Sequence, residues 1–532
     1  MKNIIIISLL LFIYKITAQT DPFQIHIEPF EINSLGGIQA YSFGQSDGKW
    51  LIIGGRLDGL HRRQPFASFD IAGNNNQLIV IDPKSLKKWS STLLDLPTSI
   101  QEQMSSTNME FYQEGDYLYI IGGYGYNVAT DSKKTFDKLT IVDVKSVINS
   151  IINGEPFTKY FRQITDPMFA VTGGHLKKIN NTYYLIGGNK FDGNYNPMGN
   201  PTYTQLYTNS IIKFKIIDDG VNLSINHLNT LTDITNLHRR DYNAVSQILP
   251  NGAEGITVFS GVFQPNIDLP YLNCVNIDSI TYQVDNNFKQ LYNHYHCASL
   301  PLYSALDNEM HNIFFGGIAQ FYENNGMIVQ DNNVPFVRTI ARVSRTNDGK
   351  MTEYKLPIEM PSYIGASSEF IPINNIPHYD NHVIKLDELS EDSTLVGYIY
   401  GGISSTAPNI FFSNNGTQSF ANNQIFRVFV IKNKKVNNQN IYKQSESHLK
   451  VQIVPNANNG DFIIKYYLNN ITDTKIKIFN NYGQMLDEII LKNNQLGENS
   501  FHYKNFKNLL KGTLILIIET PTEIATQKVI ID

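Results

Sequence analysis

The residues best suited to chemistry fall in two basic clusters. Arg56, Asp58, His61, Arg62 and Arg63 form the first; His238, Arg239, Arg240, Asp241, Tyr242 and Asn243 form the second. Guanidinium groups hold carboxylate, sulfate or phosphate through paired N–H donors, so converging arginines would suit an acidic sugar or an acidic peptide segment. The same arginines can instead pair with Asp58, Asp241 and nearby carbonyls, tying loops together. Successive side chains of an extended segment point to opposite sides, so only one of Arg239 and Arg240 can face a common centre. Aromatic residues crowd the neighbouring stretches: Tyr124, Tyr126, Tyr195, Tyr203, Tyr207, Phe263, Tyr271 and Phe321. Exposed rings would stack on sugar faces or cover a peptide, whereas buried ones would pack loops onto a scaffold.

A third group is His294-Tyr295-His296-Cys297, in which the two histidines alternate to the same side of a strand. No Cys-x-x-Cys or clustered Cys/His spacing accompanies it, so neither a metal nor a cofactor is expected. The chain has two cysteines, Cys274 and Cys297. In an exported protein that count permits one disulfide, which would contribute roughly 3 kcal/mol by loop entropy. Two unpaired buried thiols are the alternative. No nucleophile elbow, phosphate loop or zinc-protease helix occurs.

These residues must be positioned by a large scaffold. At 532 residues the chain exceeds what one simple core supports, so several domains or one repeat architecture are expected. Apolar residues make up 42%, ample for a packed core, and charged residues only 17%. The net charge of −5 offers no basic face for nucleic acid. Residues 1–18 read as a signal peptide: Lys2 supplies the positive end, Ile4 to Tyr14 the apolar stretch, and Ala18 a small residue before the cut. That stretch is short for a bilayer and no other reaches the length of a transmembrane helix. A secreted or outer-surface protein without a membrane span is expected.

An apolar strand ending in a glycine pair recurs six times, at Gly54-Gly55, Gly122-Gly123, Gly187-Gly188, Ser260-Gly261, Gly316-Gly317 and Gly401-Gly402. Each copy follows another strand and a tight turn, then continues through a loop into an alternating strand, giving four strands per unit, A to D. Six such units predict a six-bladed β-propeller over residues 22–433. The last unit supplies strand A near Ser367 to Pro372, B at Gly397 to Tyr400 and C at Gln424 to Ile431. It lacks strand D, and the alternating segment Phe23 to Glu28 is predicted to fill that place and close the edge. The pattern resembles the kelch repeat family, best in the first unit with Gly54-Gly55, Asp82 and Trp89. The later units lack the tryptophan, and Ser260 replaces a glycine. Some secreted kelch-related oxidases hold copper with two His and two Tyr, but the sequence around His294 does not reproduce their motif.

Residues 434–449 read as a linker, and 450–532 as a small β-sandwich with period-two strands. Pro455-Asn456, Gly460-Asp461-Phe462, Asn480-Asn481-Tyr482-Gly483, Leu510-Lys511-Gly512 and Lys528 occur in that order. This resembles the type A C-terminal sorting domain of the type IX secretion system, with Ala457 where the family usually has a second proline. The resemblance implies the type IX machinery as a partner and passage across an outer membrane.

In a four-strand antiparallel unit the B–C and D–A connections emerge on one face, and the B–C loops here are long. A glycan or protein ligand is therefore expected at that face, held by Arg56, His61, Arg62, His238, Arg239, Arg240, Asp241, Tyr124 and Tyr126. The alternative is a kelch-type sugar-active enzyme, an epimerase or mutarotase, with an arginine-lined central pocket.

Overall fold

The computed structural model describes residues 21–63, 68–196, 202–220, 222–390, 392–432, 449–480, 485–504, 512–521 and 523–531. The expected signal peptide, and all of the expected linker except its last residue, lie outside them. The chain divides into two compact units, one ending at Asn433 and the other starting at Lys434. Both are all-β and built from many small sheets.

The N-terminal unit contains six sheets that each hold four consecutive antiparallel strands. Their first, inner strands are Ser42–Ser46, Glu110–Glu114, His175–Ile179, Asn243–Ile248, Ser299–Ser304 and Ser368–Pro372. The sixth sheet borrows its outer strand from the chain's start. Phe23–Phe30 pairs with Ile425–Lys432, Phe23 opposite Lys432 and Phe30 opposite Ile425, as the strand count requires. That pairing satisfies an edge that would otherwise be open.

Side chains of each strand alternate between the two faces of its sheet, and both faces are apolar, so every sheet must be covered twice. Leu51 and Val80 of the first sheet meet Leu118 and Val142 of the second. Tyr119 and Ile141 then meet Leu185 and Phe214, Tyr184 and Ile211 meet Ile256 and Val275, and Phe259 meets Phe314 and Val343. Leu300 and Ile313 meet Ile399 and Val428. The last core returns to the start, with Ile371 and Tyr400 against Trp50 and Ile52.

A hydrogen-bonded cycle runs through the residues that lead into the inner strands. Asn108 N–H donates to Ala40 O (3.1 Å), Gly173 to Asn108 (3.3 Å), and Asp241 to Gly173 (2.8 Å). His296 donates to Asp241 (3.0 Å), Ser367 to His296 (2.8 Å), and Ala40 to Ser367 (3.1 Å). Five of the six hold the left-handed conformation, with φ between 51° and 69°.

One helix was not legible as such. Val144–Asn153 connects the third and fourth strands of the second sheet, capped by Asp143, which accepts from Ser146 N–H at 3.0 Å, and ended by left-handed Gly154. It buries Val147, Ile148 and Ile151 against the first sheet. The C-terminal unit has a three-stranded and a four-stranded sheet around one core that includes Phe462, Ile464, Ile476, Ile478, Leu516 and Ile518.

At Gly122, φ is +65° and an added Cβ would lie 1.9 Å from Val171 O of the following sheet. Gly115, with φ +57° in a turn, would meet nothing within 4 Å. Gly122→Ala should therefore cost about 2–4 kcal/mol, left-handed strain plus overpacking, and Gly115→Ala about 1 kcal/mol. Urea denaturation of both variants checks this; equal losses would mean that the sheet-to-sheet contact adds nothing.

Candidate functional site

Enclosed by the inner strands is a cavity of about 580 Å³, within the range of roughly 300–1,000 Å³ typical of small-molecule sites. Its wall draws on all six inner strands. The antiparallel register puts one inner-strand residue of each sheet opposite the residue just before the glycine pair. Glu110 faces Ile121, His175 faces Ile186, Asn243 faces Phe259, and Glu369 faces Tyr400. Ser42 and Ala298 occupy the same position in the first and fifth sheets. This single column of the repeat delivers three ionisable residues to the cavity.

His175 and Glu369 form a connected group with Lys177 and His296, and Glu110 lines the same cavity. His296 Nε2 lies 3.1 Å from Glu369 Oε1. The His175 and His296 rings approach to 5.2 Å between centroids, edge to face. His175 Nε2–H donates to the Tyr242 carbonyl at 2.6 Å, leaving Nδ1 as an acceptor. Burial holds the His175 imidazole well below its usual pKa, with His296 and Lys177 adding to the effect. Burial also lowers the Lys177 ammonium, opposed by Glu369. Glu110 Oε1 accepts from Gly174 N–H at 2.8 Å, while its Oε2 is buried without a hydrogen-bond partner. Burial raises the Glu110 carboxyl well above its ordinary range, favouring the neutral acid.

Of the exposed lining residues, Asp47, Gly115 and Asp116 belong to the A–B turns of the first two sheets, and Asn374, His378 and His382 to the sixth sheet's A–B connection. That connection, residues 373–392, also contributes Ile376, Asn381 and Ile384 to the wall. At the opposite end the lining residues Ala40, Asn108, Gly173, Asp241 and His296 are members of the hydrogen-bonded cycle.

The residues expected to bind a ligand lie outside this cavity, Asp241 excepted. Arg56 is buried and clamps Asp58 through Nε (2.7 Å) and an η-nitrogen (2.5 Å), Asn74 Oδ1 (2.8 Å) and Asp70 O (3.0 Å). Arg239 is buried too, donating to Asn236 O, Ser260 O, Asn273 O and Asn273 Oδ1, with its guanidinium 3.9 Å from the Tyr271 ring centroid. Arg240 pairs with Asp241, reaches Tyr207 Oη (3.1 Å) and covers Phe263. His238 stacks on Tyr207 at 3.6 Å and donates through Nδ1 to Asn209 Oδ1. Arg62 lies against Gly416, and Tyr126 donates to the Asp131 carboxylate. Tyr124 donates to Gly193 O and shares the rings of Phe69 and Phe191. His61 packs between Phe69 and Tyr195, and burial pushes its pKa down to about 4.

The structure thus gathers Arg56, His61 and Tyr124 around Phe69, while Arg62, Tyr126, His238 and Arg239 serve separate contacts. The expected arginine-lined central pocket is corrected. Among the described residues no arginine lines the cavity, because the backbone cycle separates these side chains from it. Lys177 is the single Lys or Arg of its wall, against the carboxyls of Asp47, Glu110, Asp116, Asp241 and Glu369.

The expected disulfide is likewise absent. Both thiols are free and buried; Cys274 Sγ contacts Met351 Sδ at 3.5 Å, and Cys297 Sγ accepts from Asn243 Nδ2 at 3.7 Å. The two share one core but turn to different partners. His294 and His296 also diverge in role. His294 is fully buried and neutral, donating to Gln290 O (2.9 Å) and accepting from Gln320 N–H (3.0 Å). No group of three or more His, Cys, Asp or Glu among the described residues could hold a metal ion.

No protein-family model and no curated protein matches the chain. Its fold is similar to a structure described as that of YjhT, at 13% identity over 76% of this chain and 98% of that one, TM-score 0.43. A chain of the RAG complex with one melted and one unmelted RSS matches at 10% identity over 77% of this chain and 99% of that one, TM-score 0.36. A glycoside hydrolase family 43 arabinoxylan arabinofuranohydrolase from Bacillus subtilis, bound to cellotetraose, matches at 10% identity, covering 93% and 95%, TM-score 0.29. Likeness this distant places the chain in no family; the cavity carries the functional reading.

Burial lowers the His294 pKa to about 4, from an ordinary value near 6.5. A depressed folded-state pKa contributes stability that is present above pH 6.5 and lost as pH falls towards 4. Wild type should lose about 3 kcal/mol over that window relative to His294→Gln. Parallel pH–stability curves for the two proteins would show that His294 titrates freely.

Proposed function

We propose that the N-terminal unit is a six-bladed kelch-type β-propeller that recognises a small glycan or free sugar inside its central cavity. One observation supports this above all: Glu110, His175, Lys177, His296 and Glu369 converge there from the second, third, fifth and sixth sheets. A sugar presents hydroxyls that donate and accept in several directions. Glu369 and the free nitrogen of His175 accept such donors, and Lys177 donates. The surplus of carboxyls disfavours an acidic sugar and fits a neutral or amine-bearing one. The cycle of six backbone hydrogen bonds and the six shared cores support the propeller reading.

A second reading is favoured by one particular: His175 is held neutral beside the His296–Glu369 pair. Groups whose environments push their proton affinities apart are what acid–base catalysis on a sugar needs. The C-terminal unit is proposed as a sorting domain that takes the protein through type IX secretion to the cell surface or the medium. The order of its motifs supports that assignment.

Calorimetry with a panel of neutral, amino and acidic sugars tests the site. Lys177→Met should weaken binding at least tenfold, and Arg62→Ala should leave it unchanged; the reverse pattern would return the site to the loop face. NMR of anomeric exchange in any sugar that binds separates catalysis from recognition. In a host with type IX machinery, the chain truncated after Lys432 should stay in the periplasm. Its appearance in the medium would overturn the sorting assignment.

A further inference from the structure

Five of the six A–B connections are short: 47–48, 115–116, 180–181, 249–253 and 305–308. The sixth, residues 373–392, is far longer than a turn needs, and such length in a compact domain usually has a function. It leaves the sixth sheet and adds Ile384–Lys385 in parallel to the fifth sheet's inner strand, opposite Leu302 and Tyr303. Asn381 Nδ2 donates to Gln247 O of the fourth sheet at 3.0 Å, and Val383 is buried with Ile248, Tyr303 and Met310. Asp387 accepts from Ser304 Oγ and Leu306 N–H, both at 3.0 Å. The base of this strap is therefore fixed along the fourth and fifth sheets.

Its tip crosses to the other side of the cavity. His382 Nε2–H donates to Gln113 O of the second sheet at 3.1 Å, and its ring meets Tyr112 at 5.4 Å. The other exposed lining residues are Asp47, Gly115 and Asp116, at the turns of the first two sheets, and Asn374 and His378 of the strap itself, all at the A–B end. The other end of the cavity is bounded by the backbone cycle, whose N–H and C=O groups are already spent on one another.

We propose that the cavity is a blind pocket with one mouth, on the side of the A–B turns, and that the strap tip at His382 sets what passes through it. The ligand is then a free sugar or the end of a chain, taken end-on, and the B–C loop face lies behind a closed wall. The sugar chemistry rests on the reading above; the single gated mouth does not.

Access can be measured without knowing the ligand. Lys177→Cys puts a reporter thiol on the wall, and wild type, whose two thiols are buried and pushed up to about 12, is the blank. Methyl methanethiosulfonate should modify the reporter readily and fluorescein maleimide slowly. Adding His382→Gly removes the tip ring at a residue with φ +66°, which glycine accepts, and should speed the bulky reagent at least tenfold. His382→Phe, which keeps a ring against Tyr112, should stay slow and guards against mere unfolding. Phe412→Ala, at an exposed ring of the 406–418 connection that lies over Arg63 on the loop face, should change nothing. Equal bulky-reagent rates with and without the tip ring, or acceleration by Phe412→Ala, would overturn the proposal. A gate that behaves as expected while no sugar of the panel binds would sink the sugar reading and leave the blind pocket standing.

Discussion

Six backbone N–H groups, each donating to the carbonyl of the residue that leads into the preceding inner strand, link the six sheets of the N-terminal unit into a cycle. Each bond alone contributes about 1 kcal/mol. Together they fix where every inner strand begins, and so which of its residues reaches the cavity. Ala40, Asn108, Gly173, Asp241 and Ser367 accept the left-handed conformation to make these bonds, although two of them, Ala40 and Ser367, carry side chains with no ordinary preference for it. His296 is the exception. In the fifth sheet the left-handed residue is Asn293, three positions earlier, and His296 joins the cycle by its backbone while its imidazole reaches Glu369.

The sequence made the scaffold legible because its signals are local and steric. A glycine pair after an apolar strand marks the place where a Cβ would strike the next sheet, as Gly122 does with Val171, and it recurs wherever that contact recurs. The outer strand Phe23–Phe30 was legible by subtraction, since one sheet lacked a fourth strand and one alternating segment lacked a sheet. The helix Val144–Asn153 breaks the four-strand repeat, and its signals are the Asp143 cap on Ser146 and the Val147, Ile148, Ile151 spacing.

The site was much less legible, for a different reason. Clustered arginines attract notice because they stand side by side in the chain, yet proximity in sequence let Arg56 find Asp58 and Arg240 find Asp241. Glu110, His175 and Glu369 are far apart and each sits in an unremarkable strand. What they share is a register position, opposite the last residue before the glycine pair. The same six copies that revealed the scaffold, aligned on that pair, show this column as small or polar at Ser42, Asn243 and Ala298 and ionisable at Glu110, His175 and Glu369. The strap is legible only as a distance: strands A and B of the sixth unit are separated by far more chain than a turn needs, with no motif to mark what that chain does.

Energetics separates the two faces. On the loop face, Arg56 and Arg239 are buried, but nearly every N–H they direct inward meets a carboxylate, a carbonyl or an amide oxygen. Such groups tie loops and have little left to offer a ligand. In the cavity the balance is reversed. Glu110 keeps one buried oxygen without a partner, and His175 and Lys177 both sit where burial disfavours their charged forms. Each arrangement costs stability that an apolar residue in the same column, such as Ala298 in the fifth sheet, does not. A fold that needed only to close its cycle could fill that column with small residues throughout. Perturbed ionisable groups that converge in a concave site, as Glu110, His175 and Lys177 do, instead mark a candidate place for binding or transforming something. The uncompensated polarity of the inner column is what supports the cavity as the proposed site; on the loop face most guanidinium N–H groups are satisfied, while His61 Nδ1 stays buried without a partner.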